Sequence, residues 1–276
     1  MLRRLTTICS VLALWASGSA YAAAPPVYYL ALGDSLSRGV QPNRTGVLVE
    51  TRQGYVDDLY AYYRARHPEL RLAKLGCSGE TTETMITGGV CSYPLGSQLA
   101  EAVQFLQTNQ VALVTLTIGG DNILHCVGAG GIDPTCVTNG LNDLSVDLPQ
   151  ILGALRAAAP GVAIIAMNYN DPLLGLWRFG PEGRALAQQS LQITLLLNRL
   201  LEGTYGAFHV PVAGVAEAFR ITDSRLIPLL DVPVNVFLEL TWTWIGLSPP
   251  LGPDVHPNAV GYAVIAGAFV KIIGAQ

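Results

Sequence analysis

Two side chains at opposite ends of the chain have the chemistry for nucleophilic catalysis. Ser35 follows the apolar, aromatic-rich run Tyr28-Tyr29-Leu30-Ala31-Leu32 through Gly33-Asp34. His256 lies near the other end, in Pro253-Asp254-Val255-His256-Pro257-Asn258. A serine hydroxyl is a weak nucleophile until a neighbouring base takes its proton, and histidine is the most common base. The pair predicts covalent catalysis, provided that the fold brings the two side chains together.

Among the four histidines, His256 is the best candidate for the base. Pro257-Asn258 indicates that it lies in a turn at the start of the last predicted helix. His67 precedes a proline at the end of a predicted helix, and His209 falls in a predicted strand, so we assign both to structural roles.

Two glycine-rich segments between the serine and the histidine offer backbone amides. They are Cys77-Ser78-Gly79-Glu80-Thr81 and Ile118-Gly119-Gly120-Asp121-Asn122. Acyl transfer needs such donors, because they stabilise the oxyanion that forms when serine attacks a carbonyl group. The Gly-x-Ser-x-Gly elbow of the α/β-hydrolases is absent, since Gly76-Cys77-Ser78-Gly79 has its second glycine one place early.

The elements that must position these residues alternate between apolar and amphipathic segments, which is typical of βαβ units with a parallel sheet. Strands are predicted over residues 27–32, 70–75, 112–118 and 162–167, with a weaker one over 207–212. Helices are predicted over residues 55–65, 97–106, 141–158, 183–201 and 258–273. Pro149 either kinks the third helix or marks its true start. Ser35 would then stand at the carboxyl edge of the sheet, where such folds bind ligands.

The first 22 residues have the pattern of a signal peptide. Arg3 and Arg4 give a positive start, residues 8–15 an apolar core, and Ala20-Tyr21-Ala22 a cleavage site. The apolar core is too short for a membrane-spanning helix, which needs about 20 residues. We therefore expect an exported protein, with an uncleaved anchor as the alternative, and a single α/β domain over residues 23–276.

The charge balance bears on possible partners. Removing residues 1–22 takes away two arginines and no acid, so the formal net charge of −4 becomes −6. Lys74 and Lys271 are the two lysines, and the predicted mature part has no basic cluster. This disfavours nucleic acid and anionic membrane surfaces. No stable membrane insertion is expected, and we expect a monomer that acts on a small-molecule or lipid substrate.

Four cysteines remain after residue 22, an even number that predicts two disulfides in an exported protein. Three pairings are possible. Local pairing of Cys77 with Cys91 and of Cys126 with Cys136 is favoured, because each pair brackets one turn-rich loop. His125 beside Cys126 raises a metal site as an alternative, but no CxxC or HxxxH spacing supports it. Without a phosphate loop or a dinucleotide fingerprint, we expect neither a metal nor a cofactor.

Four short blocks, in this order, resemble the GDSL or SGNH hydrolase family, which includes secreted esterases and lipases. They are Gly33-Asp34-Ser35, Ser78-Gly79-Glu80-Thr81, Gly119-Gly120-Asp121-Asn122 and the segment before His256. The resemblance implies an α/β fold, a three-layer α/β/α flavodoxin-like sandwich with a parallel sheet. It also implies that Ser35 is the nucleophile and that the amides of Ser35 and Gly79 are oxyanion donors.

Two blocks depart from the family pattern. The family reads Gly-x-Asn-Asp, with the asparagine as third donor, whereas here Asp121 precedes Asn122. Because a carboxylate would repel the oxyanion, the chemistry favours Asn122 after a one-residue adjustment of the turn. The family also reads Asp-x-x-His, but Asp254 is only two residues before His256. Either Asp254 or a backbone carbonyl is expected to orient the imidazole.

Substrate contacts are predicted from two further segments. Tyr169 ends a predicted strand at the site edge, where it either contacts substrate or simply closes a turn. Residues 226–252 contain Trp242 and Trp244 and either wall an acyl pocket or pack on the core. We expect an exported serine ester hydrolase acting on lipid or short acyl esters. The alternatives are a polysaccharide O-deacetylase of the same fold and a catalytically silent exported binding module.

Overall fold

The computed structural model describes residues 26–128 and 130–274, so the predicted signal peptide lies outside the described residues. The strands are β1 (Val27–Gly33), β2 (Val40–Pro42), β3 (Leu48–Glu50), β4 (Leu70–Lys74), β5 (Gln110–Thr117), β6 (Val127–Gly128), β7 (Gly131–Ile132), β8 (Ala163–Met167), β9 (Val212–Ala213), β10 (Leu226–Ile227) and β11 (Val232–Pro233). The α-helices are α1 (Ser35–Arg38), α2 (Tyr55–Arg64), α3 (Thr82–Thr87), α4 (Gln98–Thr108), α5 (Asp121–Leu124), α6 (Pro134–Ala158), α7 (Gly180–Ala207), α8 (Val215–Ala218), α9 (Val234–Trp242) and α10 (Ala259–Ile273). Two 3₁₀ helices span Pro172–Phe179 and Trp244–Gly246.

Five strands form one parallel sheet in the order β4-β1-β5-β8-β9. Numbered along the chain, these strands lie in the flavodoxin-like order 2-1-3-4-5. The chain passes from β1 to β4 on one side and then crosses to β5 on the other side of β1. The order therefore reverses at β1, and a crevice opens at the carboxyl end of that strand, where Ser35 begins α1.

Helices cover both faces of this sheet. Residues 29–32 of β1 are completely buried, which requires cover on either side. On one face α2 packs against α10, with the rings of Tyr55 and Phe269 stacked 5.0 Å apart. The other face carries α4, α6 and α7, which contact one another in sequence. The predicted three-layer α/β/α fold is confirmed.

Two predicted elements have different boundaries in the structure. The strand predicted over 207–212 is wrong, because α7 continues to Ala207 and β9 covers only Val212–Ala213. Leu197, Leu201 and Tyr205 are four residues apart and buried, which extends the helix, and His209 lies in the turn that follows.

The third predicted helix begins at Pro134 rather than near residue 141. The Asp133 carboxylate accepts hydrogen bonds from the amides of Thr135 and Cys136, so it caps the helix seven residues earlier than the apolar pattern indicates. Proline is well suited to the first position of a helix. Pro149 lies inside the helix and does not mark its start.

The disulfides have the predicted local pairing. Cys77 is bonded to Cys91 and Cys126 to Cys136, with Cα–Cα distances of 6.1 and 5.5 Å. Chain-entropy reasoning gives each loop about 3 kcal/mol of stabilisation. Because Cys126 and Cys136 use their sulfurs for each other, they offer no thiolate to a metal ion beside His125. Within residues 26–128 and 130–274, no helix is long and apolar enough to cross a membrane.

Candidate active site

The turn after β1 determines where Ser35 stands. Gly33 has a φ of +117°, and a Cβ there would lie 1.8 Å from the carbonyl oxygen of Thr117 on β5. Only glycine permits this approach. The amide of Asp34 then donates to the same carbonyl at 2.8 Å, and the Asp34 side chain accepts from the Leu36 amide at 3.0 Å to cap α1. Ser35 is therefore presented at the first position of a short helix.

Asp34 also ties three neighbouring strand ends together. Besides capping α1, its carboxylate accepts hydrogen bonds from the Thr117 hydroxyl at 3.0 Å and the Tyr169 hydroxyl at 2.6 Å. Burial and the nearby Asp121 carboxyl raise the pKa of Asp34 to about 7, against the lowering effect of these hydrogen bonds. Asp34 thus supports the turn that carries Ser35.

Ser35, His256 and Asp254 form a continuous chain of hydrogen-bonded side chains. The distance from Ser35 Oγ to His256 Nε2 is 2.9 Å, and the distance from His256 Nδ1 to Asp254 Oδ1 is also 2.9 Å. Burial raises the pKa of Asp254, but the hydrogen bonds and charge of His256 outweigh it and hold that pKa below its ordinary value. The arrangement has the geometry in which a histidine removes a serine proton.

The backbone of residues 242–244 holds the histidine segment in place. The Trp244 amide donates to the His256 carbonyl at 2.9 Å, and the Asp254 amide donates to the Trp244 carbonyl at 3.3 Å. The Asn258 amide donates to the Trp242 carbonyl at 2.9 Å, and the Asn258 side chain then caps α10. Residues 242–244 therefore position the base through main-chain contacts.

Neither tryptophan lines the pocket, which corrects the expectation for Trp242 and Trp244. The Trp242 ring packs edge-on against Phe219, with centroids 5.3 Å apart. Apolar composition predicts burial but not the surface against which a residue is buried. None of residues 226–252 contributes to the wall of the pocket.

Two residues that line the pocket have backbone amides for which no hydrogen bond is found among the described residues. One is Ser35 at the start of α1, and the other is Gly79 in the loop after β4. The Cys77 amide anchors this loop by donating to the Gly33 carbonyl at 2.8 Å, and the Cys77–Cys91 disulfide closes it. Both amides are available to a developing oxyanion.

Asn122 does not face the pocket, which corrects its assignment as the third oxyanion donor. Its side-chain amide donates to the Thr82 hydroxyl at 2.8 Å and to the Gly140 carbonyl at 3.3 Å, and its oxygen accepts from the Thr82 amide at 3.0 Å. The side chain is buried and has no polar atom left for a substrate. The one-residue adjustment of the turn that would have aimed Asn122 at the oxyanion is not present. Asn122 instead joins α5 to α3 through Thr82 and to α6 through Gly140.

Asp121 lines the pocket in its place, together with Ser35, Gly79 and His256. Burial and the charge of Glu80 raise the pKa of the Asp121 carboxyl to about 6. Among the described residues, no group donates a hydrogen bond to this carboxyl. The structure thus places an unpartnered acid where the sequence argument expected an amide.

An apolar cavity of about 230 Å³ extends from Ser35 between α5, α6, α7 and the first 3₁₀ helix. Tyr169 is among the lining residues, and its hydroxyl is bonded to Asp34. The aliphatic side chains of the wall are Leu36, Ile123, Leu124, Val127, Ile132, Val137, Leu173, Ile193, Leu197 and Val255. This lining suits a hydrocarbon chain.

Gln98 supports the site and was missed in the sequence. Its side chain accepts from the Gly33 amide at 2.6 Å and donates to the Gly33 carbonyl at 3.0 Å and to Glu80 Oε2 at 2.9 Å. It thereby joins the Ser35 turn to the loop that carries Gly79. A detectable pattern existed, because Gln98, Ala102 and Leu106 lie four residues apart, which puts a polar side chain on the buried stripe of α4.

The sequence matches the GDSL-like Lipase/Acylhydrolase family over residues 31–264. The chain belongs to this family. The match covers both the Ser35 turn and the His256 segment of this GDSL-family protein. No curated protein sequence is similar enough to count as a match.

Solved structures of the same fold include lipases and esterases. A phospholipase A1 from Streptomyces albidoflavus is 20% identical, with a TM-score of 0.53 over 92% of this chain and 100% of that one. An extracellular lipase from Streptomyces rimosus is 17% identical, with a TM-score of 0.55 over 90% and 99%. The acetyl xylan esterase AlAXEase is 11% identical, with a TM-score of 0.53 over 89% and 99%. At these identities the likeness shows the fold alone.

Proposed function

We propose that this GDSL-family protein is an exported carboxylic ester hydrolase that works through an acyl-enzyme on Ser35. The observation that carries the proposal is the hydrogen-bonded chain from Ser35 Oγ through His256 to Asp254, at 2.9 Å for each contact. A catalytically silent binding module would have no need of this alignment. Family membership supports ester hydrolysis as the reaction.

In the first half-reaction, His256 Nε2 takes the hydroxyl proton as Ser35 Oγ attacks the ester carbonyl carbon. Asp254 accepts a hydrogen bond from the Nδ1–H of the imidazole and stabilises its charged form. The amides of Ser35 and Gly79 donate to the oxyanion. Collapse of the intermediate expels the alcohol with the proton from His256, and water then repeats the sequence to release the acid.

The cavity beside Ser35 supports an apolar acyl group as the substrate part that is bound. Ten aliphatic side chains line it, and an acetyl group would leave most of its 230 Å³ unfilled. Burial of each methylene contributes about 0.8 kcal/mol, so acyl chains longer than acetyl gain affinity until the cavity is full. This favours lipid or medium-chain esters over acetylated polysaccharides.

Export is supported by the leader pattern of residues 1–22 and by the two disulfides, which form in oxidising compartments. We further propose that residues 23–276 make up one domain and act as a monomer. N-terminal sequencing of the secreted protein and its sedimentation behaviour test these points.

The test of the proposed function is hydrolysis of p-nitrophenyl esters from acetyl to palmitoyl by the oxidised protein, beside Ser35→Ala. We expect a rate that rises with chain length beyond acetyl and a loss of at least about 10⁴-fold in the variant, the scale seen when a triad member is removed. Ser37→Ala is the matched control, because Ser37 lies two residues further along α1 and donates to the Asp34 carbonyl instead.

Two outcomes would contradict the proposal. Equal rates for Ser35→Ala and the parent protein would exclude the serine mechanism. Activity confined to acetyl esters would contradict the apolar acyl site and favour a deacetylase instead.

A further inference from the structure

The pocket contains one acidic group for which the reaction so far has no role. Asp121 begins α5 and lines the same pocket as Ser35 and Gly79. As a carboxylate it would repel the oxyanion that forms there. As a carboxylic acid it would be a hydrogen-bond donor on the third side of that oxygen.

We propose that Asp121, in its protonated form, donates the third hydrogen bond to the oxyanion, so that the enzyme works only while this carboxyl keeps its proton. The inference rests on the proposed ester hydrolysis at Ser35. It assigns to Asp121 a role that depends on pH, unlike the amides of Ser35 and Gly79.

The surroundings of Asp121 favour the neutral acid. The titratable groups that line the same pocket are Asp34, Tyr169, Asp171 and His256, while Glu80 and His125 lie next to Asp121 outside that lining. Glu80 is completely buried, and its Oε1 has no partner within the described residues. Burial and this neighbouring charge oppose ionisation and raise the pKa of Asp121 to about 6.

The neighbouring carboxyls of Asp34 and Asp121 differ in the hydrogen bonds that they accept. Leu36, Thr117 and Tyr169 all donate to Asp34, which favours its ionised form. Asp121 has no donor among the described residues, so ionisation there gains no hydrogen bond. Burial and the Asp121 carboxyl nevertheless raise the pKa of Asp34 to about 7, so the two carboxyls share one proton near neutral pH and are both protonated below about pH 6.

The attack of Ser35 on the ester needs no reactant besides the ester and the side chains of the enzyme. The Ser35 Oγ–carbon bond forms while His256 takes the hydroxyl proton and the carbonyl π electrons move to oxygen. Asp121 shares its proton with that oxygen and retains it. When the electrons return, the bond to the alcohol breaks and the alcohol leaves with the proton from His256.

The experiment is the pH dependence of kcat/KM for p-nitrophenyl butyrate between pH 5 and 9, measured in a pH-stat with the oxidised protein. The parent enzyme is expected to lose activity roughly tenfold per pH unit above pH 6–7, up to the 10²–10³-fold that one oxyanion donor provides. Asp121→Asn replaces the acid with a donor that does not ionise. This variant should show no fall up to pH 9 and exceed the parent at least roughly tenfold at pH 8.5.

Two further variants keep the test decisive if Asp121→Asn folds poorly. Glu80→Gln removes a charge that opposes ionisation of Asp121, so the fall in activity should move to lower pH. Asp143→Asn makes the same chemical change at an exposed carboxyl on α6, outside the pocket, and should keep the fall in activity at the same pH.

The role of Asp121 would be overturned if kcat/KM of Asp121→Asn fell with pH as it does in the parent enzyme. It would also be overturned if kcat/KM of the parent did not fall between pH 6 and 9. If the parent hydrolyses esters and Ser35→Ala does not, the proposed function stands even then. A parent protein that hydrolyses no ester at any pH would overturn both.

Discussion

Two aspartates of the candidate active site, Asp254 behind His256 and Asp121 in the pocket wall, differ in the hydrogen bonds that their carboxyls accept. Asp254 accepts two hydrogen bonds from His256, through its amide and its ring, and these hold the pKa of its carboxyl below the ordinary value despite burial. Asp121 accepts none from the described residues, and burial beside Glu80 raises its pKa to about 6. The same side chain therefore ionises below its ordinary pKa on the histidine side and keeps its proton to about pH 6 in the pocket wall.

The comparison indicates that hydrogen-bond partners and neighbouring charges, rather than residue type, determine whether a carboxyl at this site is ionised. On the histidine side, an anion is needed to stabilise the imidazolium that forms when Ser35 loses its proton. On the oxyanion side, a second anion would cancel the effect of the Ser35 and Gly79 amides. By this account, an aspartate serves on both sides only because their environments push the two pKa values apart.

The largest expected effect comes from Asp254→Asn, which removes the anion while keeping the shape. The amide either loses the Nδ1 contact or selects the wrong imidazole tautomer, so kcat should fall on the order of 10⁴-fold. Steady-state kinetics at pH 6 measure this. A loss of only about tenfold would mean that a backbone carbonyl orients His256 instead.

Stability should respond in opposite directions to the two Asp→Asn changes. The unfolded chain ionises Asp121 near 3.8, whereas the folded protein keeps the proton to about 6, so stability is lost as the pH rises between these values. Asp121→Asn should therefore raise the free energy of unfolding by about 3 kcal/mol at pH 7.5 and leave it unchanged at pH 3.5.

Asp254 has the reverse sign, because its pKa is lowered on folding and its stabilisation is present at neutral pH and lost in acid. Asp254→Asn should therefore destabilise the protein at pH 7.5. Urea unfolding at the two pH values measures both variants, and a shift in the same direction at pH 7.5 would contradict the contrast between the two carboxyls.

A smaller effect is expected from Asn122→Ala, which tests the residue next to Asp121. Loss of its hydrogen bonds leaves buried groups of Thr82 and Gly140 unpaired, so the free energy of unfolding should fall by about 1–3 kcal/mol. Turnover at 10 °C should change less than about tenfold, since no oxyanion contact is removed. A loss of 10²-fold or more, with the fold intact by circular dichroism, would return the donor role to Asn122.

The sequence was sufficient where one local pattern determines the structure. The apolar run ending at Gly-Asp-Ser predicted both the buried strand β1 and the place of Ser35, and the Pro-Asn after His256 predicted the start of α10. The family pattern connected these segments across 221 residues, and the structure places Ser35 and His256 within hydrogen-bond distance.

The sequence was insufficient where the position or ionisation of a residue depends on other residues that are distant in the chain. The sequence argument rejected Asp121 as an oxyanion donor because it assumed a charged carboxylate. The ionisation of Asp121 depends on burial and on Glu80, which is 41 positions earlier in the chain. No local pattern reveals either influence. The place of Trp242 likewise depends on its packing against Phe219 from another segment. Whether Asp254 or a carbonyl reaches His256 depends on the conformation of one loop.

The most direct test of the account is modification by a fluorophosphonate probe, followed by peptide mapping of the parent protein and of His256→Ala. An activated serine is phosphonylated by such a probe, whereas an ordinary hydroxyl is not. We predict one adduct, on Ser35, formed rapidly in the parent protein and at least about 10³-fold more slowly in the variant. No adduct in a folded, oxidised protein, or an adduct on another residue, would contradict the assignment of Ser35 as the nucleophile.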